Sequence, residues 1–427
     1  MTEHVATNET ILVVGGGISG MTAALEAAET GKNVVLVEKN PALGGRTSQL
    51  YRYFPKLCHP TCGLEINLRR LKNNPRVRVL TLAEVTGIEG STGNYTASIK
   101  IKPRYVNENC TACGDCERAV DMKVDDPFNY NLGQHKAAFL PNVMAYPQRY
   151  VLDPSIIGTP EADKAKAACK YAAIDLEMKE ETVELKVGAV VWATGWQPYD
   201  AAKIQPYGYG RFPNVITSVE FERLADPHGP TGGKIVRPSD GKEAKNVAFI
   251  QCAGSRDENH LRHCSRICCM ASLKQTQYVR EAYAEDARST VYYIDIRAID
   301  RFEDFYAKVQ KDATVTFVKS KVARIAEDQA TRDPVLHGVD TEGYHRYANQ
   351  RDLVVLAVGM APSIKGADIP AEIVADSSGF IDATAESAVF GAGCASGALD
   401  VNRAVQSATA ATLRAIQVVN RTSRAEA

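Results

Sequence analysis

Cysteine is the residue type whose spacing is most informative in this 427-residue chain. Eight of the eleven cysteines fall into two sets of four. The first set is Cys110, Cys113, Cys116 and Cys169, and the second set is Cys252, Cys264, Cys268 and Cys269. Because thiolates bind iron and zinc strongly, closely spaced cysteines in a reducing compartment predict metal or redox centres rather than structural disulfides.

The first set follows the C-x-x-C-x-x-C spacing of bacterial ferredoxins from Cys110 to Cys116, whose loop brings three thiolates to one cluster. Val120 stands where a fourth cysteine is usual. In two-cluster ferredoxins that fourth cysteine ligates the other cluster, and Cys169 resembles the end of a second run that has lost its first three cysteines. The set therefore predicts one complete 4Fe-4S cluster, and an empty, degenerate ferredoxin loop is the alternative.

The second set lies within a short basic stretch between Cys252 and Cys269. His260, Arg262, His263 and Arg266 supply nearby positive charge, which favours thiolates. The set predicts a four-cysteine iron–sulfur cluster, with zinc or buried free thiols as the alternatives.

A dinucleotide-binding turn opens the chain. The apolar run Ile11 to Val14 leads into Gly15-x-Gly17-x-x-Gly20 and an Ala-rich helix, and a second apolar run ends at Glu38. The glycines allow a tight turn, close approach to a pyrophosphate and helix packing, and the carboxylate suits a ribose hydroxyl. A tight turn without a ligand is the alternative.

FAD is favoured over NAD because Gly44-Gly45-Arg46 resembles the second phosphate-contact segment of the two-dinucleotide-binding flavoproteins. In that interpretation Arg46 adds a cation near the pyrophosphate, and a solvated surface arginine is the alternative. Near the other end, Gly393 lies in a segment where that family has a Gly-Asp contact, and Cys394 takes the aspartate position. Asp400 is a predicted helix cap, and the helix dipole favours an anionic reduced flavin. Cys394 is interpreted as a small buried apolar residue.

Cys58 and Cys62 suggest a redox dithiol beside the flavin. Disulfide reductases place their cysteine pair almost directly after the glycines, whereas Thr47 to Leu57 intervene here. The strand Asn246 to Gln251 also runs into Cys252 rather than a second glycine fingerprint, so a nicotinamide site is not expected. His59 is interpreted as a loop residue, and no residue is assigned a catalytic acid–base role.

The elements predict an α/β flavoprotein with two dinucleotide-binding domains, similar to thioredoxin and glutathione reductases, and a ferredoxin-like insertion. The FAD domain is predicted to comprise residues 1–101, 182–240 and 350–427, including returning strands Ala189 to Trp192 and Leu353 to Leu356. Residues 102–181 form the insertion, built around a metal rather than a core, and residues 241–349 form the second α/β domain. Helical character extends from Val401 to Val419.

Composition narrows the possible binding partners and cellular locations of the protein. Apolar content of 45% is typical of a globular protein, and the net charge of −1 disfavours nucleic-acid binding. The polar start, Met1 to Thr10, has no export signal, and no apolar run approaches the roughly 18 residues needed to span a bilayer. These features predict a cytoplasmic location without direct membrane insertion.

The cysteine and glycine motifs together resemble the A-type subunit of heterodisulfide reductase over nearly the whole chain, most specifically in Cys252-x11-Cys264-x3-Cys268-Cys269. The segments Phe54 to Cys58, Thr61 to Asn67 and Tyr150 to Pro154 are similar to the A-type subunit of the quinone-interacting membrane-bound oxidoreductase complex.

That resemblance implies an FAD and iron–sulfur electron-transfer subunit, located at the inner face of the cytoplasmic membrane through its partners. The implied partners are adenylylsulfate reductase, a haem-bearing membrane subunit, and a second flavin and iron–sulfur subunit; a homodimer is compatible with them. The complex exchanges electrons between the quinone pool and adenylylsulfate reductase in sulfur metabolism. Alternatives are a soluble heterodisulfide reductase A-like flavoprotein active in electron bifurcation or sulfur oxidation, and an NAD(P)H-dependent disulfide reductase using Cys58 and Cys62. A third alternative is a zinc-stapled flavoprotein, stabilised by zinc instead of iron–sulfur clusters, that acts in assembly or RNA modification.

Overall fold

The computed structural model describes residues 8–367, 369, 371–382 and 389–425. Of the polar start predicted from Met1 to Thr10, residues 1–7 lie outside the described residues. The chain divides into two compact units. The first comprises Met1–Ser48, Thr61–Trp196 and Pro362–Ala427, and the second comprises Gln49–Pro60 and Gln197–Ala361.

The helices and strands are numbered in chain order. The α-helices are α1 (Ile18–Glu29), α2 (Thr61–Asn73), α3 (Asp115–Ala119), α4 (Pro160–Ala168), α5 (Ser218–Ala225), α6 (Cys268–Tyr283), α7 (Glu303–Gln310) and α8 (Val401–Ala425). The strands are β1 (Ile11–Val14), β2 (Val34–Glu38), β3 (Val77–Thr81), β4 (Ala83–Ser91), β5 (Asn94–Ile101), β6 (Lys123–Asp125), β7 (Gln134–Lys136), β8 (Ala138–Phe139), β9 (Val151–Leu152), β10 (Glu181–Val187), β11 (Ala189–Trp192), β12 (Trp196–Pro198), β13 (Val215–Thr217), β14 (Asn246–Ala253), β15 (Arg288–Tyr293), β16 (Val315–Lys319), β17 (Arg324–Glu327), β18 (Pro334–Asp340), β19 (His345–Gln350), β20 (Leu353–Val358), β21 (Met360–Pro362) and β22 (Val389–Gly391).

A parallel sheet in the order β22-β11-β1-β2-β3 forms the centre of the first unit. Ile11 of β1 pairs with Ala189 on one side and with Val34 on the other. Both β1 and β11 are buried along their whole length, as expected for parallel strands covered on both faces. The predicted strands Ile11 to Val14 and Ala189 to Trp192 are confirmed at these bounds.

Alanine-rich helices cover this sheet. Helix α1 packs with the sheet and with α8 in one apolar cluster that includes Met21, Leu25 and Ala408. The buried residues of α8 recur at helical spacing, at Ala404, Ala408, Ala411, Ala415 and Val419. Within the described ranges, no helix combines the length and the apolarity that a bilayer crossing requires.

An antiparallel sheet in the order β10-β5-β4 adjoins the insertion, residues 102–181. The insertion contains α3, α4 and two short hairpins, β6-β7 and β8-β9. Contrary to the expectation of a metal in place of a core, it has an apolar core around Val120, Leu152, Ile156 and Ile174. These residues are dispersed along the segment, so the weak periodicity of the sequence did not reveal that they converge.

The second unit contains a parallel sheet in the order β13-β20-β14-β15-β16 and an antiparallel sheet in the order β17-β18-β19. The prediction that Leu353 to Leu356 returns to the first domain is wrong, because β20 lies between β13 and β14. All six residues of β20 are buried, so its side chains complete the core of this second sheet. The observed unit accordingly extends from Gln197 to Ala361 instead of from 241 to 349.

Buried polar contacts explain why Gln49–Pro60, which we predicted in the FAD domain, groups with the second unit. Glu222 on α5 accepts a hydrogen bond from the Tyr51 amide at 3.0 Å. Lys274 on α6 donates to the Arg52 carbonyl at 2.7 Å and forms an ion pair with Glu222 at 2.8 Å. Glu222 and Lys274 are both only 2% exposed, so this pair anchors the segment inside the unit.

We expect Lys274→Met to destabilise the second unit by about 3–5 kcal/mol, because it leaves the Glu222 carboxylate buried without its cation. Urea denaturation monitored by circular dichroism measures this loss. The double variant Glu222→Gln/Lys274→Met should recover part of it. Lys319→Met, which removes one partner of an exposed ion pair with Glu342, should change stability by less than about 1 kcal/mol. An equal loss of stability in Lys274→Met and in Lys319→Met would contradict the assignment of Glu222 and Lys274 as a buried pair that anchors the segment.

Candidate functional site

The glycine turn between β1 and α1 is packed too closely for side chains. Gly15 has φ +104°, and a Cβ there would lie 2.4 Å from the Ala193 carbonyl oxygen. A Cβ on Gly20 would lie 1.7 Å from the Gly15 carbonyl oxygen. Each clash involves backbone, so neither glycine tolerates a side chain without a local rearrangement. The turn is therefore as tight as the sequence motif predicts, with backbone atoms lying directly against Gly15 and Gly20.

Glu38 fastens this turn to the end of β2. Its Oε2 accepts a hydrogen bond from the Gly16 amide at 2.7 Å, and its Oε1 accepts from the Asn40 amide at 2.8 Å and from the Asn40 side chain at 2.7 Å. Burial raises the pKa of Glu38, against the lowering effect of these hydrogen bonds. Asn40 was missed in the sequence analysis, although a short amide side chain two residues after the acid is a recognisable signal.

The second glycine pair meets the first. Gly44 donates its amide to the Gly16 carbonyl at 2.9 Å, and Gly45, with φ +55°, lies against Gly17. A Cβ on Gly45 would lie 2.8 Å from the Gly17 Cα. The two segments predicted to contact phosphates are therefore neighbours.

Arg46 is held within the first unit rather than projecting into solvent. Its Nε donates to the Trp196 carbonyl at 2.6 Å, and its Nη1 donates to the Tyr130 hydroxyl at 3.1 Å. The guanidinium carbon lies 5.1 Å from the centre of the Trp196 ring. Tyr130 and Trp196 were not identified from the sequence, because their contact with Arg46 spans 84 and 150 residues, respectively.

The C-terminal glycine segment also reaches α1. A Cβ on Gly393 would lie 1.9 Å from the Ser19 hydroxyl oxygen. The Gly393 amide donates to the Ser407 hydroxyl at 3.0 Å, and the Asp400 carboxylate accepts from the Arg403 amide at 3.1 Å. The prediction that Asp400 caps the C-terminal helix is confirmed.

These contacts bring the predicted cofactor segments together around the start of α1. Among the described residues, no side chain caps α1 at Gly17, and its first turn contains no acidic residue. Uncapped amide groups at a helix start attract anions, because the N–H groups and the helix dipole both favour negative charge. The arrangement fits a dinucleotide pyrophosphate.

In the insertion, α3 and α4 hold the first cysteine set. Cys116 lies in α3, and Cys169 directly follows α4. The Ala173 amide donates to the Cys169 sulfur at 3.3 Å, and an isolated β-bridge between Val106 and Ile174 joins the segment before the first three cysteines to the segment after Cys169. The structure therefore brings the two halves of the predicted ferredoxin motif together.

The thiols of this set interact electrostatically. Burial raises the pKa of Cys116 to about 12, and Cys110, Cys169 and Cys113 contribute to the rise. Val120, in the position of the usual fourth cysteine, is fully buried in the apolar core. Val120 thus packs in the apolar core, and the four cysteines of the first set provide the sulfur donors that a cationic iron–sulfur cluster requires.

The second cysteine set lies at the ends of β14 and α6. Cys252 is in β14 with φ +55°, Cys268 and Cys269 begin α6, and Cys264 lies in the loop between them. Burial raises the pKa of Cys269 to about 11 and that of Cys268 well above its usual range, with Cys252 and Cys264 adding to both shifts. The four thiols therefore form one electrostatic group.

The charges near this group are placed differently from the sequence prediction. The Arg266 amide donates to the Cys264 sulfur at 3.3 Å. His260 instead contacts the Tyr199 hydroxyl at 2.7 Å, His263 contacts the Met360 carbonyl at 2.9 Å, and Arg262 is exposed. Arg256, which the sequence analysis did not select, lies with its Nη1 4.0 Å from the Cys252 sulfur.

A network of hydroxyl groups fixes the loop that carries Cys264. Ser265 and Ser255 are buried with their oxygens 3.0 Å apart, and Ser265 accepts from the Met360 amide at 2.8 Å. The loop is therefore joined to the backbone that follows β20.

All eleven cysteines lie in the described ranges, and none of them forms a disulfide. Within those ranges, no group of three or more His, Cys, Asp and Glu side chains is placed to hold a single metal ion.

Cys58 and Cys62 are both exposed. Cys58 lies in the Gln49–Pro60 segment of the second unit, and Cys62 lies in α2 of the first unit. His59, interpreted above as a loop residue, is 3.6 Å from the buried Asp226 carboxylate.

The comparisons with known proteins identify the chain's relatives. Residues 10–63 match the FAD dependent oxidoreductase family. The chain is 38% identical, over 97% of its length, to the second A-type iron–sulfur subunit of CoB–CoM heterodisulfide reductase from Methanopyrus kandleri, of which it covers 65%. It is 40% identical, over 84% of its length, to the corresponding iron–sulfur subunit of Methanocaldococcus jannaschii, of which it covers 54%. The chain thus spans less than two thirds of the length of these curated relatives.

Solved structures establish the fold. Thioredoxin reductase of T. acidophilum matches with a TM-score of 0.53 and 13% identity, covering 96% of this chain and 98% of that one. Thioredoxin reductase of Lactococcus lactis matches with a TM-score of 0.51 and 12% identity, covering 97% and 98%. The predicted thioredoxin reductase-like, two-domain flavoprotein fold is confirmed.

We expect the Cys394 thiol to be unreactive in the native protein. It is 8% exposed, it donates to the Leu399 carbonyl at 3.3 Å, and burial raises its pKa to about 11. At pH 8 the reactive thiolate is therefore about a thousandth of the population, and it increases only as the pH rises towards 11. Iodoacetamide labelling followed by mass spectrometry measures this, with exposed Cys58 as the positive control. Labelling of Cys394 at a rate similar to that of Cys58 would contradict the interpretation.

Proposed function

We propose that this chain, which is an oxidoreductase, belongs to the heterodisulfide reductase A-type family and is an FAD and iron–sulfur electron-transfer subunit. The observation that carries the proposal is the assembly of two separate groups of four thiols in a chain whose first unit also has a dinucleotide turn. A flavin exchanges electrons in pairs and an iron–sulfur cluster exchanges them singly. A chain that holds both is suited to link unlike redox partners.

The residues of the first unit bind and orient the dinucleotide in this proposal. Gly15, Gly17 and Gly20, with the neighbouring Gly44 and Gly45, let the backbone approach the pyrophosphate, and Arg46 adds positive charge near it. Glu38 keeps lone pairs for a ribose hydroxyl while it accepts from Gly16 and Asn40. Gly393 and the start of α8, which Asp400 caps, complete the proposed dinucleotide-binding site.

The two cysteine sets would each hold a 4Fe-4S cluster. Cys110, Cys113, Cys116 and Cys169 provide the ligands of the first cluster, and Cys252, Cys264, Cys268 and Cys269 provide those of the second. Amide donors to Cys169 and Cys264 support this assignment, because hydrogen bonds to ligand sulfurs stabilise thiolates and tune cluster potentials.

The finer proposal is a subunit of the quinone-interacting membrane-bound complex. The segments Phe54 to Cys58, Thr61 to Asn67 and Tyr150 to Pro154 support it. The partners would then be adenylylsulfate reductase, a haem-bearing membrane subunit, and a second flavin and iron–sulfur subunit. The chain itself would be a peripheral cytoplasmic protein at the inner membrane face.

A soluble heterodisulfide reductase A-like role in electron bifurcation or sulfur oxidation is the second candidate. It is favoured by the 34% identity, over 96% of this chain, to the A-type subunit of H(2):CoB-CoM heterodisulfide,ferredoxin reductase from Methanothermobacter marburgensis. This chain covers 64% of that relative.

Isolation of the native complex from its source, followed by a test of its reoxidation by a quinone analogue, distinguishes the two candidates. Reoxidation by the quinone together with a haem subunit supports the membrane complex, and the absence of both supports the soluble one.

We expect anaerobically prepared protein to contain FAD, iron and sulfide. Cys169→Ala and Cys268→Ala should each remove roughly half of the iron, because each removes a ligand from a different cluster. Iron and sulfide assays with EPR after reduction provide the measurement.

Val120→Ala is the matched control, because it should cost about 1–3 kcal/mol of stability without loss of iron. Full iron content in Cys169→Ala would exclude the first ligand set, and zinc in place of iron would favour the zinc-stapled alternative.

The NAD(P)H-dependent disulfide reductase alternative predicts rapid flavin bleaching by NADPH. We expect slow or absent bleaching in stopped-flow experiments, because β14 leads into Cys252 and a cysteine loop instead of a second glycine fingerprint. Bleaching at catalytic rates that is followed by dithiol formation at Cys58 and Cys62 would reverse this choice, and the Cys58→Ser/Cys62→Ser variant is the control.

A further inference from the structure

Arg256 lies in the loop between β14 and α6, beside one of the four cysteines of the second set. Its Nη1 is 4.0 Å from the Cys252 sulfur and also donates to the Asp295 carboxylate. The Arg256 amide donates to the His263 carbonyl at 3.2 Å, which fixes the backbone from which the guanidinium extends. The guanidinium is therefore shared between a thiol and a carboxylate.

Asp295 lies close to a second cysteine of the same set. The Cys269 sulfur is 3.8 Å from the Asp295 carbonyl oxygen. The Asp295 carboxylate is also 3.6 Å from the Arg297 guanidinium. The side chains of Arg256 and Asp295 are 24% and 47% exposed, so solvent screens the effect of their charges on the four cysteines only in part. The pair consequently places a positive and a negative charge at the edge of the cysteine set.

We propose that Arg256 raises the reduction potential of the cluster held by Cys252, Cys264, Cys268 and Cys269, and that Asp295 limits this effect. The inference rests on the proposed function, since it requires a cluster at these cysteines. When the cluster accepts one electron, its negative charge increases by one. A guanidinium that donates to a ligand sulfur stabilises the more negative state, and a neighbouring carboxylate opposes it.

The test compares the potential of this cluster in wild type, Arg256→Met, Arg256→Lys and Asp295→Asn, measured by EPR-monitored redox titration of the reconstituted full chain. Arg256→Met should lower the potential, because it removes both the charge and the donor. A roughly tenfold decrease in the equilibrium constant for reduction corresponds to about 59 mV for a one-electron couple. Arg256→Lys should lower it less, and Asp295→Asn should raise it.

The matched control is Arg262→Met. Arg262 is an exposed cation of the same loop, so its removal changes the net charge equally without changing a contact to Cys252. It should leave the potential close to the wild-type value. The potential of the cluster held by Cys110, Cys113, Cys116 and Cys169 serves as an internal reference in every variant and should not move.

The outcomes separate this inference from the proposed function. Wild-type protein without iron or an EPR signal from the second set would overturn the proposed function and this inference with it. A normal cluster whose potential shifts no more in Arg256→Met than in Arg262→Met would overturn the inference alone. If Arg256→Met fails to assemble the cluster, Asp295→Asn decides: a higher potential supports the role of the pair, and an unchanged or lower potential refutes it.

Discussion

The cost of ionising buried, neighbouring thiols is the constraint on which both cysteine groups depend. Burial already raises the pKa of Cys116 and Cys269, and the neighbouring thiols raise each value further. Four thiolates therefore remain together only when positive charge or hydrogen-bond donors compensate them. The amides of Ala173 and Arg266 donate to sulfur in the two groups, and a cationic cluster core would supply the rest of the compensation.

The two units use the same strand–loop–helix arrangement for different chemistry. In the first unit, β1 leads through a glycine turn into α1, and small residues bring three separate backbone segments together there. In the second unit, β14 leads through a longer loop into α6, and Cys268 and Cys269 occupy the start of that helix. The start of α6 is thus occupied by thiols, and the positive end of the helix dipole favours their ionised form.

Buried polar groups support these loops and the segments beside them. The Ser255–Ser265 pair joins the second cysteine loop to Met360, and the Glu222–Lys274 pair holds the Gln49–Pro60 segment on α5 and α6. Arg104 plays a similar part in the first unit, where its guanidinium donates to Thr81 at 2.8 Å and to the Arg149 carbonyl at 3.3 Å. Such contacts hold these segments in one geometry.

The order of residues was sufficient to predict the first βαβ unit, the thioredoxin reductase-like fold and the grouping of the cysteines, because each depends on local spacing or on apolar runs of known period. Folding in three dimensions was needed to show that β20 belongs to the second sheet, that Gln49–Pro60 joins the second unit and that the insertion has an apolar core. It also showed that Arg256, instead of His260 or Arg262, meets a cysteine of the second set. These features arise from contacts between side chains that are distant along the chain or that lie in irregular loops, where burial and charge pairing act without leaving a periodic pattern in the sequence.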